Sequence, residues 1–338
     1  MNDIFGEIEP EAVSKQITYL ADVCLIKAYE IAFLELKKRF GRPGGDAQFA
    51  VLAIGKLGGE ELIYSSDIDI IFVYSKNGET SGVKVISNHE FFAKLAQRII
   101  TILSTVTREG FAFKVDTRLR PSGSSGPLVV SEEAFIKYHK ETAQMWEKQA
   151  MLKARFAAGD AGFGARVLAD MQEYIYAAAP THEDLKELYR IRQRMEIEIA
   201  KEGSGRYNIK YGKGGLVDVE FTTQILQLKF GKALPYIRKP NTLEAIDSLK
   251  EAQIISEHDY SLLRGAYKFY RLLENRLRIV QNRTEGEIVK DSSEIFILAK
   301  RLGYQDNDAG KRLLEDYLNY AAKARGLYLK TIGITEAK

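Results

Sequence analysis

The 338-residue chain carries one cysteine, one tryptophan and only seven prolines. A single thiol excludes an internal disulfide framework and fits a reducing compartment. Cys24 stands inside "ITYLADVCLIKAYEIAFLELKKRF" (17–40), a helical pattern in which it reads as a buried thiol rather than a nucleophile. No apolar run reaches the roughly 18 residues of a membrane span. The opening "MNDIFGEIEPEAV" lacks the basic and apolar regions of a signal peptide, so the expectation is a cytoplasmic protein with no membrane partner. Charge of one sign is also scarce: Lys and Arg number 49 against 46 Asp and Glu, a net +3. Neither that balance nor the lone Trp146 makes the footprint of a nucleic-acid partner or a template-directed polymerase.

What is present is hydrophobic patterning sufficient for a sizeable core, and a length that suits two domains. Residues 10–40 have helical spacing and end at "GRPGG", a helix stop followed by a loop. "AQFAVLAIG" (47–55) is short, apolar and closed by glycine, the pattern of a buried strand. "DIDIIFVY" (67–74) is apolar on both faces and reads as a central strand. Ser87 and Glu90 form a capping-box signature ahead of an amphipathic helix, and "FAFKVDTRL" (111–119) alternates like a third strand. Ser131 caps a predicted helix, "EEAFIKYHKETAQMWEKQAMLKARF" (132–156). Beyond about residue 160 strand signals nearly vanish, and five segments carry 3.6-residue periodicity. The expected fold class is α+β: a small mixed-sheet domain, then an all-α bundle. The boundaries read as an N-terminal linker helix over 1–44, an α/β domain over 45–159 and a helical domain over 160–338.

Within "YSSDIDIIFVY", Asp67 and Asp69 share one face of a strand, with about 6.6 Å of rise between them. Two carboxylates on one face repel unless a proton or cation lies between them. Magnesium suits the position, being a hard ion held by one or two carboxylates plus substrate phosphates. Asp116, on a separate predicted strand, is a third carboxylate able to lie alongside. Ahead of the pair runs "GKLGGEELIYSS", containing Lys56, Gly58, Gly59, Ser65 and Ser66. Glycines there let backbone N–H groups approach a phosphate, although the spacing is neither a P-loop nor a dinucleotide fingerprint. A lone DxD is commonly a solvated strand face. Combined with the glycine loop, the apolar strand and "VDTRLRP", it points to two-metal phosphoryl transfer on a triphosphate, with two Mg²⁺ ions. Arg118 and Arg120 fit either triphosphate contact or surface pairing with glutamates, and Lys56 either phosphate or solvent.

Four stretches, "GKLGGEELIYSSDIDIIFVY", "VDTRLRPSGSSGPLVVS", "WEKQAMLKAR" and "GKGGLVDVEFTTQ", together resemble the glutamine-synthetase adenylyltransferases. These are bifunctional members of the DNA-polymerase-β-like nucleotidyltransferase superfamily, and the match runs in order from about residue 45 to 285. The resemblance implies a polymerase-β-like nucleotidyltransferase domain followed by a helical domain, moving AMP from ATP to a tyrosine hydroxyl of glutamine synthetase. It makes Asp67, Asp69 and Asp116 the metal carboxylates, with Asp116 also placed to take the tyrosine proton. Full-length members carry two such domains, one adding AMP and one removing it by phosphorolysis. This chain has a single copy, and the expectation is a fragment of a longer enzyme that also meets the PII signalling protein. Ser122 in "LRPSG" is similar to the AMP-adding copy, whereas "YKFYRLLENRLRIVQ" is similar to the removing copy as well. Alternatives are therefore the removing copy, or an idle docking module for glutamine synthetase or PII. For "IKYGKGGLVDVEF", two readings stay open. Asp218 and Glu220 either favour the first turn of the next helix through its dipole, or the loop brings Lys210 and Lys213 to phosphate.

Overall fold

A computed structural model describes residues 8–203, 205–281 and 286–334, the side chains of Val280 and Gln281 excepted. The chain is a mixed α+β protein that divides into two compact units, Glu11–Ala177 and Ala178–Lys338 with Met1–Pro10. Among the described residues no helix is long and apolar enough to cross a membrane.

In the first unit, α1 (Pro10–Phe40) stops where Gly41 turns left-handed, with φ of 79°. A Cβ there would meet the Gly82 backbone at 2.3 Å, so the helix stop read in "GRPGG" requires glycine on steric grounds. Every residue of β1 (Phe49–Ile54) is buried, as is nearly all of β2 (Ile68–Tyr74). The two pair antiparallel from Phe49↔Tyr74 to Ile54↔Asp69. The other edge of β2 is shared by two short parallel strands: β3 (Val115–Asp116) at its beginning and β4 (Val129–Ser131) at its end. β5 (Arg155–Gly159) runs antiparallel to β1 and completes a five-stranded mixed sheet. Phe49, Phe72, Tyr74 and Phe92 stack through this core, which α1 and α3 (Asn88–Ser104) cover with Ala21, Leu25, Ala28, Phe91, Leu95 and Ile99. Ser87 caps α3 by accepting from Glu90 N, while the Glu90 carboxylate lies 3.4 Å from Lys94.

Two sequence expectations are corrected here. The strand over 111–119 shrinks to Val115–Asp116. Upstream, Thr107 and Gly110 pair with one another, and Ala112 N and Phe113 N both donate to Leu103 O, so those backbone groups are satisfied locally. The single helix over 132–156 is three elements: α4 (Glu132–Glu141), α5 (Met145–Met151) and β5. Ala143 N returns to Tyr138 O, and Gln144 with Glu147 starts a new capping box, which breaks the helix. The last residues then satisfy the open edge of β1, a demand that local periodicity does not register. A sixth helix, α6 (Ala161–Ile175), capped by Asp160, closes the unit.

The second unit is helical: α7 (His182–Arg194), α8 (Leu216–Phe230), α9 (Thr242–Glu251), α10 (Glu257–Gln281), α11 (Ser293–Arg301) and α12 (Ala309–Ile332). α7 runs on into a wider π turn, Met195–Ala200. A two-stranded ribbon, β6 (Arg206–Asn208) against β7 (Glu287–Val289), is the exception to the all-helical expectation. Leu263, Tyr270, Leu273, Leu313 and Tyr317 lie in its core.

Candidate active site

The site begins where β1 ends. Gly55 has φ of 57° and opens a one-turn helix, α2 (Gly55–Gly58). A Cβ on Gly55 would stand 2.6 Å from Asp69 Oδ2, and one on Gly58 1.9 Å from the Lys153 carbonyl. Both glycines are therefore dictated by close approach, one to a candidate catalytic carboxylate and one to the backbone beneath. The turn closes with Glu61 N on Lys56 O (2.7 Å) and Glu60 N on Leu57 O (3.2 Å), Glu60 adopting φ of 58°. This is the hydrogen-bond pattern that ends helices, here with glutamate in the position glycine usually takes.

The individual expectations fare differently. Lys56 is half-buried in that turn and Gly58 is buried. The Gly59 amide donates to Gly55 O at 3.0 Å, so it is spent within the turn. Ser66 is buried and shapes the approach to β2: its hydroxyl accepts from Ile63 N (3.1 Å), and its own amide returns to Ile63 O. Ser65 is exposed beside it, with φ of 54°.

Along the following strand Asp67 is exposed and Asp69 half-buried, whereas Ile68 and Ile70 are fully buried. The alternation read from "DIDI" is thus the observed one. Asp69 and Asp116 are direct partners across the β2–β3 pair, about 4.8 Å apart in strand spacing and on the same face. Arg118 grips Asp116: Nη2 lies 2.5 Å from Oδ2, Nε 2.8 Å from Oδ2, and its backbone N 2.8 Å from Oδ1. Partial burial by itself would raise the Asp116 carboxyl; the Arg118 hydrogen bonds and charge outweigh it and hold the group below the ordinary carboxylate value. Asp116 also raises the Arg118 guanidinium pKa, and more weakly Asp69 and Asp67 do the same. One cation therefore feels all three carboxylates.

Arg120 plays another part. Its guanidinium donates to Thr117 O (2.8 Å), Thr117 Oγ1 (2.9 Å), Ser124 O (3.2 Å), Gly126 O (3.1 Å) and Pro127 O (3.1 Å). These bonds fasten the "RLRPSGSSGPL" turn from inside, with Ser122 and Gly123 both left-handed. Arg120 thus contributes to this site through the shape of that turn and, more weakly than Arg118, through its charge on Asp116.

Among the described residues no three carboxylate, imidazole or thiol groups form a ready-made metal cage. The donors at hand are hard carboxylate oxygens, two of them on adjacent in-register residues, with a cation already balancing them. That set fits Mg²⁺, which takes few protein ligands and completes its shell with water and substrate phosphates.

Residues that motif reading left without a role lie under the turn. Lys153 and Glu61 form a buried ion pair at 2.6 Å, and Arg155 donates to Leu57 O while gripping Asp22 of α1. The sequence marks Lys153 and Arg155 only through the stretch "WEKQAMLKAR".

In the second unit the "GKGGLVDVEF" loop is organised from within. Asp218 sits in the first turn of α8, yet its side chain is wholly buried. It accepts from Arg192 Nε (2.5 Å) and Gly214 N (2.8 Å), with Arg325 Nη1 3.3 Å away. Arg192 also donates to Tyr211 O and Gly212 O. Asp218 is thus the centre of a buried ionic network, beyond the helix-dipole role expected of it, whereas Lys213 is exposed.

Residues 1–170 match the family model of glutamate-ammonia ligase adenylyltransferase, and residues 165–332 match that of PII-uridylyltransferase. Among known proteins, the chain is similar to the bifunctional glutamine synthetase adenylyltransferase/adenylyl-removing enzymes of several bacteria. It is 33% identical to that of Hahella chejuensis over 93% of this chain and 33% of the relative. For Nitrosococcus oceani the figures are 34%, 93% and 33%, and for Stenotrophomonas maltophilia K279a 36%, 86% and 31%. The chain spans about a third of the length of these curated relatives. With half its residues matched by one family model and nine-tenths aligned to relatives at a third identity, the chain belongs to the glutamate-ammonia ligase adenylyltransferase family.

Proposed function

We propose that this chain is a Mg²⁺-dependent nucleotidyltransferase that moves AMP from ATP to a tyrosine hydroxyl of glutamine synthetase and releases pyrophosphate. The observation that carries the reading is the Asp69–Asp116 pairing across adjacent strands, with the Gly55–Gly58 turn pressed against the Asp69 carboxylate. This arrangement suits a polymerase-β-like nucleotidyltransferase domain in the Glu11–Ala177 unit, wider at both ends than the 45–159 expected, with the helical domain in the other unit. The Gly55–Glu61 turn, Ser65 and Arg118 hold the triphosphate. Asp67, Asp69 and Asp116 would hold two Mg²⁺ ions, which when bound neutralise the phosphates and the charge developing on pyrophosphate. Arg118 leaves Asp116 for the phosphates as the nucleotide binds, since a guanidinium pairs with either anion in the same bidentate way. That leaves an oxygen of Asp116 open to the nucleophile, where it accepts the tyrosine proton as the oxygen attacks the α-phosphorus. The likeness of residues 165–332 to the PII-uridylyltransferase model supports PII as a partner of the longer enzyme.

Addition and removal of AMP use the same in-line displacement at the α-phosphorus and differ in how the remaining phosphates are held. The hydroxyl-rich turn at Ser122–Ser125, fastened by Arg120 next to Asp116, supports triphosphate binding and hence addition. Incubation with unmodified glutamine synthetase, ATP and Mg²⁺, followed by mass spectrometry, should show an adenylylated tyrosine and stoichiometric pyrophosphate. Adenylylated target with inorganic phosphate should yield little ADP. Dominant ADP release would reverse the assignment in favour of the removing activity. Binding of the target with neither reaction would favour a docking module.

A further inference from the structure

Sequence motifs left "LKAR" without a task. Lys153 and Arg155 lie two residues apart at the start of β5, where that strand reaches the end of β1 and the beginning of the glycine turn. Both are tied to the turn, from different sides. The Lys153 carbonyl is the backbone on which Gly58 rests, and its ammonium meets Glu61 at 2.6 Å, both side chains buried. Arg155 donates through Nε (3.2 Å) and Nη2 (3.1 Å) to Leu57 O, a carbonyl at the end of the same one-turn helix. The guanidinium is in turn oriented by Asp22 of α1, whose two oxygens each lie 2.8 Å from Nη2. A second contact from α1, Leu62 N on Thr18 Oγ1 at 3.3 Å, pins the exit of the turn.

A four-residue helix has almost no stability of its own, because its nucleus costs more than its few hydrogen bonds return. The place of the Gly55–Glu61 turn is therefore set by what it is bolted to. A buried ion pair is a poor way to gain stability, since desolvation offsets the attraction; its best-attested use is to specify one geometry. We propose that Lys153 and Arg155 are positioning residues of the nucleotide loop. They fix where the turn stands against Asp69 and so set the affinity for Mg²⁺–ATP, with Glu61 and Asp22 orienting them. The inference rests on reading that turn as the triphosphate-binding element.

The test compares wild type with Asp22→Asn, Arg155→Gln, Arg155→Lys, the double Asp22→Asn/Arg155→Gln, and the double Glu61→Gln/Lys153→Met. The last replaces the buried pair by near-isosteric neutral groups and leaves no orphaned charge, so it keeps a folded protein available. Readouts are the thermal midpoint, the Kd of a fluorescent non-hydrolysable ATP analogue with Mg²⁺, and separate KM values for ATP and for glutamine synthetase. Arg155→Gln and the Glu61/Lys153 double should weaken analogue binding and raise the KM for ATP at least tenfold, leaving the KM for glutamine synthetase unchanged. Arg155→Lys should recover part of that loss. Asp22→Asn should give a smaller loss of the same kind that disappears in the Arg155→Gln background, because Asp22 acts through Arg155. A merely structural role would lower the thermal midpoint and apparent kcat and leave the Kd and both KM values alone; that result overturns the proposal. So does full additivity of the Asp22 and Arg155 effects. Failure of wild type to bind the analogue refutes the loop reading itself, and this inference with it, before any variant is compared.

Discussion

His139 offers the most quantitative test of this structure. It lies on α4, 2% exposed, with Phe135 at 4.7 Å and Tyr138 at 5.4 Å between ring centroids. Neither ring nitrogen meets a hydrogen-bond partner among the described residues. Burial disfavours the charged ring and pushes its pKa down from 6.5 to about 4. The folded state thus binds a proton less readily than the unfolded state. Stability is complete above the unfolded value near 6.5 and is lost as pH falls toward and through 4. At 1.36 kcal/mol per unit, the difference between 6.5 and about 4 amounts to about 3 kcal/mol at the acid end. Between pH 7 and pH 5 the linkage relation gives a loss of about 2 kcal/mol. The assay is urea unfolding of wild type and His139→Leu at several pH values between 7 and 5. Carboxylates titrate in both proteins, so the difference between the two curves isolates the histidine. The wild type should lose about 2 kcal/mol more than the variant over that range. Parallel curves would refute the claim that a neutral imidazole is sealed in an apolar pocket.

Three further outcomes follow from the same geometry. Asp69→Asn should abolish AMP incorporation, measured with radiolabelled ATP, while the thermal midpoint holds or rises, because one of several close carboxylate charges is removed; near-normal turnover would contradict the assignment. Mg²⁺ with a non-hydrolysable ATP analogue should stabilise by about 2.7 kcal/mol at a hundredfold excess over Kd, and either component alone by far less. Equal stabilisation without the metal, read by differential scanning fluorimetry, would count against metal-assisted phosphate binding. Asp218→Ala leaves Arg192, which is fully buried, without its closest carboxylate and should cost on the order of 3–5 kcal/mol in chemical denaturation. A loss below 1 kcal/mol would mean that the network is readily rehydrated.

The local pattern of the chain determined a good deal. The helical character of the second unit, the Ser87 cap, the two central strands and the shared face of Asp67 and Asp69 all follow from periodicity, capping chemistry and the two-residue repeat of a strand. These are short-range effects, and each is written within a dozen residues. Tertiary structure decided the rest. That residues 155–159 pair with β1 instead of extending a helix depends on an open sheet edge about a hundred positions earlier. Asp116 lies beside Asp69 only because a brief parallel pairing brings residues 115–116 to β2, and no alternation in "FAFKVDTRL" specifies that register. Asp218 has the sequence context of an exposed first-turn acid, yet Arg192 and Arg325 converge on it from two other helices. Nothing local to Lys153 and Arg155 marks their task, which appears only when the fold turns them toward Glu61 and Leu57 O. The physical reason is common to all four: the free energy of a charge or an unpaired strand edge depends on what surrounds it in space, and spatial neighbours far apart in the chain leave no local trace.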